Sequence, residues 1–542
     1  MIRMRLTRIV AACAAALLAA LAVQVDAKPA AAETYLPISG TGSTWSQNAL
    51  DQWRRNVQSN YGMTINYSGT GSSAGRRDFI AGTVDFAVSE IPFQSQPEDG
   101  SAPETPSTGS AYMPIVAGGT SFMYNLRIGG KKVTNLRLSG QVITKIFTGV
   151  ITNWNDPEVQ ADNPGLAMPD KPIVPVVRSD GSGSTAQFTL WMSKQYQSLW
   201  GPYCASVGRS NPCGLTSQYP TSGNMKAQNG SLGVAGYVSQ DYGEGAITYV
   251  EYSYALKSGF PVAKVLNNAG YYIEPKDTSV AVGLLSAGIN SDLTQNLDGV
   301  YNSGDPRTYP LSSYSYMIVP TEVKGVFTAE KGKTLGAFAS YFLCEGQQQA
   351  GALGYSPLPM NLVQAGFSVV SRIPGAGSAN VDINNCNNPT FKPGDDPSNN
   401  QLAQTAPMPA ECDRAGTGNQ CTSGTAGAVE ETPVSGGGAG GTSSDAPGGG
   451  AAASGAAAAS AGTGVAAGSG SAPVYDENGQ LVSGGNGVVG AAVSSPYSLP
   501  DSGFGTPQLL MLLAVGLILI AVFVPPVVSR RLRKPRATSP HP

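Results

Sequence analysis

Histidine is almost missing from this chain: the single one, His541, stands beside the C-terminal residue. A triad built on imidazole, an HExxH zinc site and a histidine general base are therefore excluded from the globular part. Gly71-Ser72-Ser73-Ala74-Gly75 fits the GxSxG pattern of a nucleophile elbow, but there is no base to serve it. Charge is scarce too. Only 13% of residues are charged and the formal net charge is −3, so the basic stripe that nucleic acid requires is absent. No cysteines stand at CxxC spacing, which argues against a zinc or dithiol redox centre. With no metal cluster and no nucleophile–base pair, the chain reads as a binding protein that needs no cofactor and no metal.

Both ends carry address information. Arg3, Arg5 and Arg8 precede a short apolar run, Ile9 to Val23, and small-residue cleavage sites follow, so residues 1–32 read as a signal peptide. Seven cysteines occur, one of them (Cys13) in that leader. The other six suit disulfides in an exported protein, and the expected pairs are Cys204–Cys213, Cys412–Cys421 and Cys344–Cys386. Residues 383–503 turn to Asn, Pro and Gly and then to long Ala/Gly/Ser runs. Such a composition cannot bury enough apolar surface to offset ordering entropy, so it reads as a disordered tether. The apolar segment 504–528, nearly unbroken from Leu509 to Val528, matches a transmembrane helix, and the basic tail 529–542 marks the cytoplasmic side. Just upstream, Leu499-Pro500-Asp501-Ser502-Gly503 resembles a sortase sorting signal with Ser in place of Thr. Two fates are open: anchoring at the extracellular surface by that helix, or transfer to the cell wall by a sortase.

Residues 33–382 carry the fold. Short β-like runs (Ile65–Tyr67, Val84–Val88, Tyr112–Val116, Ile173–Val177) alternate with helical stretches, and Trp45, Ala49, Trp53 and Val57 share one helical face. That alternation implies α/β units around a mostly parallel sheet, with ligands bound beyond the carboxyl ends of strands. Three Gly/Ser/Thr-rich loops each open a helix: Gly40 to Trp45, Ser68 to Gly75, and Arg178 to Thr185. Glycines allow close approach, hydroxyls donate, and the unpaired amides of a helix start point at an anion. One such loop is commonly structural. Three in one domain, one of them beside an arginine, describe an anion cradle.

These loops, together with Gly82-Thr83-Val84-Asp85-Phe86-Ala87-Val88-Ser89, Ile146-Phe147-Thr148-Gly149, Asn153-Trp154-Asn155-Asp156-Pro157 and Arg178-Ser179-Asp180-Gly181-Ser182-Gly183-Ser184, resemble the phosphate-binding proteins of phosphate-specific ABC importers. The resemblance implies a type II periplasmic-binding-protein fold: two lobes (about 34–117 with 315–382, and 118–314), two hinge crossovers and a closing cleft. It implies inorganic phosphate as ligand and ABC permease subunits as partners. By position it implies phosphate contacts from Thr44, Trp45, Ser72, Glu90, Arg178, Ser182, Gly183 and Ser184, with Asp180 holding Arg178. Ser184 replaces the usual threonine. Glu90 replaces the usual aspartate, keeping the acceptor for a phosphate proton but adding a methylene. Another oxyanion (sulfate or molybdate), or a surface sensor or adhesin on the same fold, is the competing expectation. Asp241, Glu244 and Glu251 read as solvated carboxylates.

Overall fold

The computed structural model describes residues 34–97, 100–377 and 383–428. Two further short strands, Val474–Tyr475 and Leu481–Ser483, pair with each other in a separate unit, 453–542. The expected leader, apolar segment, sorting-like motif and basic tail lie outside the described residues, as does most of the expected tether beyond residue 428. Among the described residues no helix is long and apolar enough to cross a membrane.

Strand β1 (Ile38–Gly42) lies between β2 (Ile65–Ser68) and β3 (Phe86–Ser89), parallel to both. Parallel neighbours need long return connections, and helices α1 (Gln47–Tyr61) and α2 (Ser72–Ile80) supply them. α1 forms because its apolar positions repeat at helical spacing, burying Ala49, Leu50, Trp53 and Val57. It stops at Gly62, whose φ of 68° is left-handed and whose N–H bonds back to Gln58 O. Trp45, expected on the helix face, precedes the helix, yet its side chain is completely buried.

β4 (Ser110–Tyr124) is followed by β5 (Val174–Arg178), β6 (Lys226–Gln228), β7 (Ala246–Glu251), β8 (Val262–Leu266) and β9 (Ser312–Pro320). The main path of the sheet runs β2-β1-β3-β9-β4-β7-β5-β6. β4 changes partner part-way along: Ser110–Gly119 pairs antiparallel with β9, and Thr120–Tyr124 with β7. One strand thus leaves the first lobe for the second, and β9 brings the chain back. At the crossing the backbone must be bare. A Cβ on Gly118 would come within 2.8 Å of the Trp45 ring, and one on Gly119 within 2.6 Å of Pro275.

Each lobe has its own core. Trp53, Phe86, Phe338 and Phe342 lie in the first, and Phe122, Trp154, Phe188 and Trp200 in the second. Each such side chain, fully buried, stabilises by about 1.5–3 kcal/mol. The helices that matter for the cleft and hinge are α3 (Gly183–Gln195), α4 (Gly230–Ser239), α5 (Asp277–Leu284) and α6 (Ala329–Leu343).

Residues 383–428 correct the sequence reading. They were expected to begin the tether, but they pack against the folded unit: Phe391, Ala403 and Ala426 are buried, and Asp413 pairs with Lys264 at 2.7 Å. Their order comes from disulfides, an ion pair and backbone carbonyls held by buried side chains. None of these leaves the apolar periodicity that a sequence reading detects. The disulfides are Cys204–Cys213, Cys344–Cys386 and Cys412–Cys421, the pairs expected.

Candidate anion site

Four strand-to-helix turns meet at the carboxyl ends of β1, β2, β5 and β6, where an α/β sheet binds its ligands. Gly71 N donates to Gly42 O (2.8 Å) and Ser73 N to Gly181 O (3.0 Å), which ties first-lobe loops to each other and to the Arg178 loop of the second lobe. Ser182 caps α3, its hydroxyl accepting from Thr185 N. At the same helix start Ser184 Oγ is buried and, among the described residues, without a hydrogen-bond partner. A buried orphan hydroxyl is costly unless something else fills the role.

Arg178 ends β5 and is 3% exposed. Its Nε donates to Asp180 Oδ1 (2.7 Å), a terminal nitrogen donates to the other Asp180 oxygen, and Nη1 reaches Ser231 Oγ (3.2 Å). Guanidinium has five N–H donors, so one remains on each terminal nitrogen. Burial alone would lower its pKa, but Asp180 more than reverses this and holds Arg178 above its ordinary value. For Asp180, burial pulls upward and Arg178 outweighs it, leaving the carboxyl below its usual range. The cation is permanent and aimed.

Glu90 follows β3 directly, is completely buried and feels the charge of Arg178. Its Oε2 accepts from Ser72 Oγ (2.8 Å) and its Oε1 from Ser315 Oγ (2.9 Å) on β9. The main-chain oxygen accepts from Gln187 Nε2 (2.8 Å) on α3. Burial pushes the Glu90 carboxyl above its usual range, against the hydrogen bonds of Ser43, Ser72 and Ser315 and the charge of Arg178. The Glu90 carboxylate lies against Gly183 at the start of α3, whose N–H donates to Ser72 Oγ (3.1 Å).

Of the residues expected in the site, Ser72, Glu90 and Gly183 form one contact cluster. Thr44 joins Arg178 and Asp180 through Ser231, whose Oγ lies 2.8 Å from Thr44 Oγ1. Ser182 and Ser184 stand at the α3 start. Trp45 is different: its ring packs edge-on to Tyr355 at 5.8 Å over the hinge, and its backbone N–H is already bonded to Ser43 Oγ (2.9 Å). Ser43, Ser231 and Ser315 were missed. Asn229-Gly230-Ser231, a fourth Gly/Ser helix start after a strand, was a readable signal for Ser231. Ser315, one of three serines in the first half of β9, gave none. Glu251, read as solvated, is fully buried at the end of β7, because that strand runs into the hinge. Burial drives its pKa well above the usual range, and Ser253 N donates to its Oε2 (2.8 Å).

The model of the PBP superfamily domain matches residues 27–345, more than half of the chain. Phosphate-binding protein PstS of Xylella fastidiosa (strain Temecula1) is 33% identical over 340 residues, covering 62% of this chain and 85% of that relative. The chain belongs to the phosphate-binding proteins of the PBP superfamily. Phosphate-binding protein PstS 3 of Mycobacterium leprae is 29% identical over 331 residues, covering 59% of this chain and 83% of its own length. Among solved structures, a phosphate-binding protein from Stenotrophomonas maltophilia superposes with TM-score 0.46 at 18% identity, covering 64% of this chain and 97% of its own. In this phosphate-binding protein, residues 383–428 lie beyond the matched domain.

Proposed function

We propose that this chain captures inorganic phosphate in the cleft between its lobes and delivers it to an ABC permease at the membrane. One observation carries the reading: a buried, permanently charged Arg178, bonded to Ser231 at the start of α4, and a buried acid, Glu90, lying against Gly183 at the start of α3, stand on turns that meet at one edge of the sheet, where among the described residues Ser184 Oγ has no hydrogen-bond partner. A multiply charged anion out of water is tolerated only if its oxygens are paired. Arg178, Thr44, Ser182 and Ser184 are the candidate donors, joined by Ser72 and Gly183 once the ligand draws them from their present bonds to Glu90 and Ser72, with Asp180 orienting the arginine.

Glu90 is the discriminator. Hydrogen phosphate has a proton to donate to a carboxylate, while sulfate presents only acceptors. An oxyanion oxygen facing a carboxylate oxygen with no proton between them costs several kcal/mol, or roughly 10²–10³-fold in affinity. Ser231 acts as a positioning residue, steering Arg178 and Thr44 from opposite sides of the cleft. The segment 504–528 anchors the domain outside the cell, with the basic tail inside; the alternative is sortase transfer at Leu499–Gly503. Equilibrium binding of labelled phosphate, with and without excess sulfate, tests the reading. Saturable binding that sulfate leaves unchanged is expected; no binding, or equal displacement by sulfate, contradicts it.

A further inference from the structure

Residues 383–428 are fastened to both lobes. In the first lobe Cys386 is bonded to Cys344 at the end of α6. Asn388 Nδ2 and Thr390 Oγ1 both donate to Leu358 O (3.0 and 2.8 Å), and Phe391 enters that lobe's core. In the second lobe Asp413 forms its ion pair with Lys264 of β8. Arg137 Nη1 donates to Cys412 O and Asn419 O (2.9 and 3.1 Å). Thr425 N donates to Thr134 O (3.0 Å), and Ala426 N to Glu274 Oε1 (2.8 Å).

Between these anchorages the turn Gln401–Gln404 sits on α5, and Arg307 Nη1 donates to Ala403 O (3.1 Å). α5 is itself shared at the hinge. Val280 belongs to the first-lobe core, Ser356 Oγ donates to Asp277 O (2.8 Å), and Leu284 packs against both cores.

We propose that residues 383–428 form an interlobe strap that resists opening of the cleft and so slows ligand release. Opening must do one of two things. It can pull out the exposed loop 392–398, whose ends are stitched by Gln401 N donating to Thr390 O (2.7 Å). Otherwise it must strip an anchorage, and one of those is a disulfide while the other holds a buried ion pair that is costly to break. Either route weights the lobes toward closure, and a closed ligand leaves slowly.

The test replaces residues 392–398 with a protease recognition sequence in the full chain and cuts it after folding, so that folding is not at issue. Lobe separation is read by the distance between spin labels at Thr83 and Val150, both exposed. Phosphate dissociation is read by stopped flow, an arm that rests on the phosphate reading above. After cutting, phosphate should leave roughly threefold faster or more, and the ligand-free label distances should lengthen and broaden relative to the uncut variant. Unchanged dissociation together with unchanged distances overturns the strap. If phosphate binds neither form, the phosphate reading fails and the distances alone decide: longer on cutting supports the strap, and equal overturns it.

Discussion

The carboxylate of Glu90 lies directly against Gly183: a Cβ built on that glycine would stand 1.9 Å from Glu90 Oε2. The acid and the helix start therefore share a space that admits no side chain. Gly183→Ala must displace one or the other, although the rest of α3 can stay helical. Phosphate affinity should fall on the order of a hundredfold, because a binding constellation tolerates only about 0.5 Å of error. Calorimetric titration checks this, with circular dichroism showing that the fold is kept.

Glu90 also sets a pH dependence of selectivity. Burial raises its pKa, so it gains a proton at a higher pH than an ordinary glutamate. Once protonated it can donate to a sulfate oxygen. Sulfate competition should therefore be weakest at alkaline pH and grow as pH falls, starting at a higher pH than an ordinary glutamate would allow. Glu90→Gln, a permanent donor, should admit sulfate at every pH and weaken phosphate roughly 10²-fold or more. Competition titrations across pH read both effects.

Ser231→Ala removes one hydrogen bond to Arg178 and the hydroxyl contact with Thr44, leaving the backbone N–H of residue 231 donating to Thr44 Oγ1. A net loss of about 1–1.5 kcal/mol, or roughly tenfold in phosphate affinity, is expected. Ser231→Thr keeps the hydroxyl and should recover most of the binding, which a purely structural loss would not do.

Glu251 governs stability. Its pKa is raised in the folded state by burial, so the folded protein holds that proton more tightly than the unfolded chain. The favourable contribution is complete below the unfolded carboxylate value, about 4.3, and is lost as pH rises toward the folded value. Glu251→Gln should flatten this part of the profile and raise Tm by a few degrees at pH 8, with little change at acid pH. Thermal melts at several pH values decide it.

The strand–glycine–helix turns were legible because they depend on local chemistry: glycine for close approach, hydroxyls for caps, apolar spacing for the helix behind them. The loops that carry Ser72, Arg178 and Gly183 followed from that, while the roles of Ser72 and Gly183 and the pairing of Asp180 with Arg178 came only from the family resemblance. Ser315 was hidden because nothing marks it off from its neighbours Ser312 and Ser313 until β9 is placed beside Glu90. Glu251 was misread for the same reason, since a carboxylate after a β-run gives no sign that the strand ends inside a hinge. The strap was missed because its order is made by partners far away in sequence. Asp413 and Lys264, for example, are 149 positions apart.

The most direct test of the central claim is a crystal structure of the protein grown with phosphate. One phosphate should sit in the interlobe cleft within hydrogen-bonding distance of the Arg178 guanidinium and Ser184 Oγ, with the Glu90 carboxylate accepting from a phosphate oxygen. Phosphate bound elsewhere, or Arg178 and Glu90 turned from a common ligand, would contradict it.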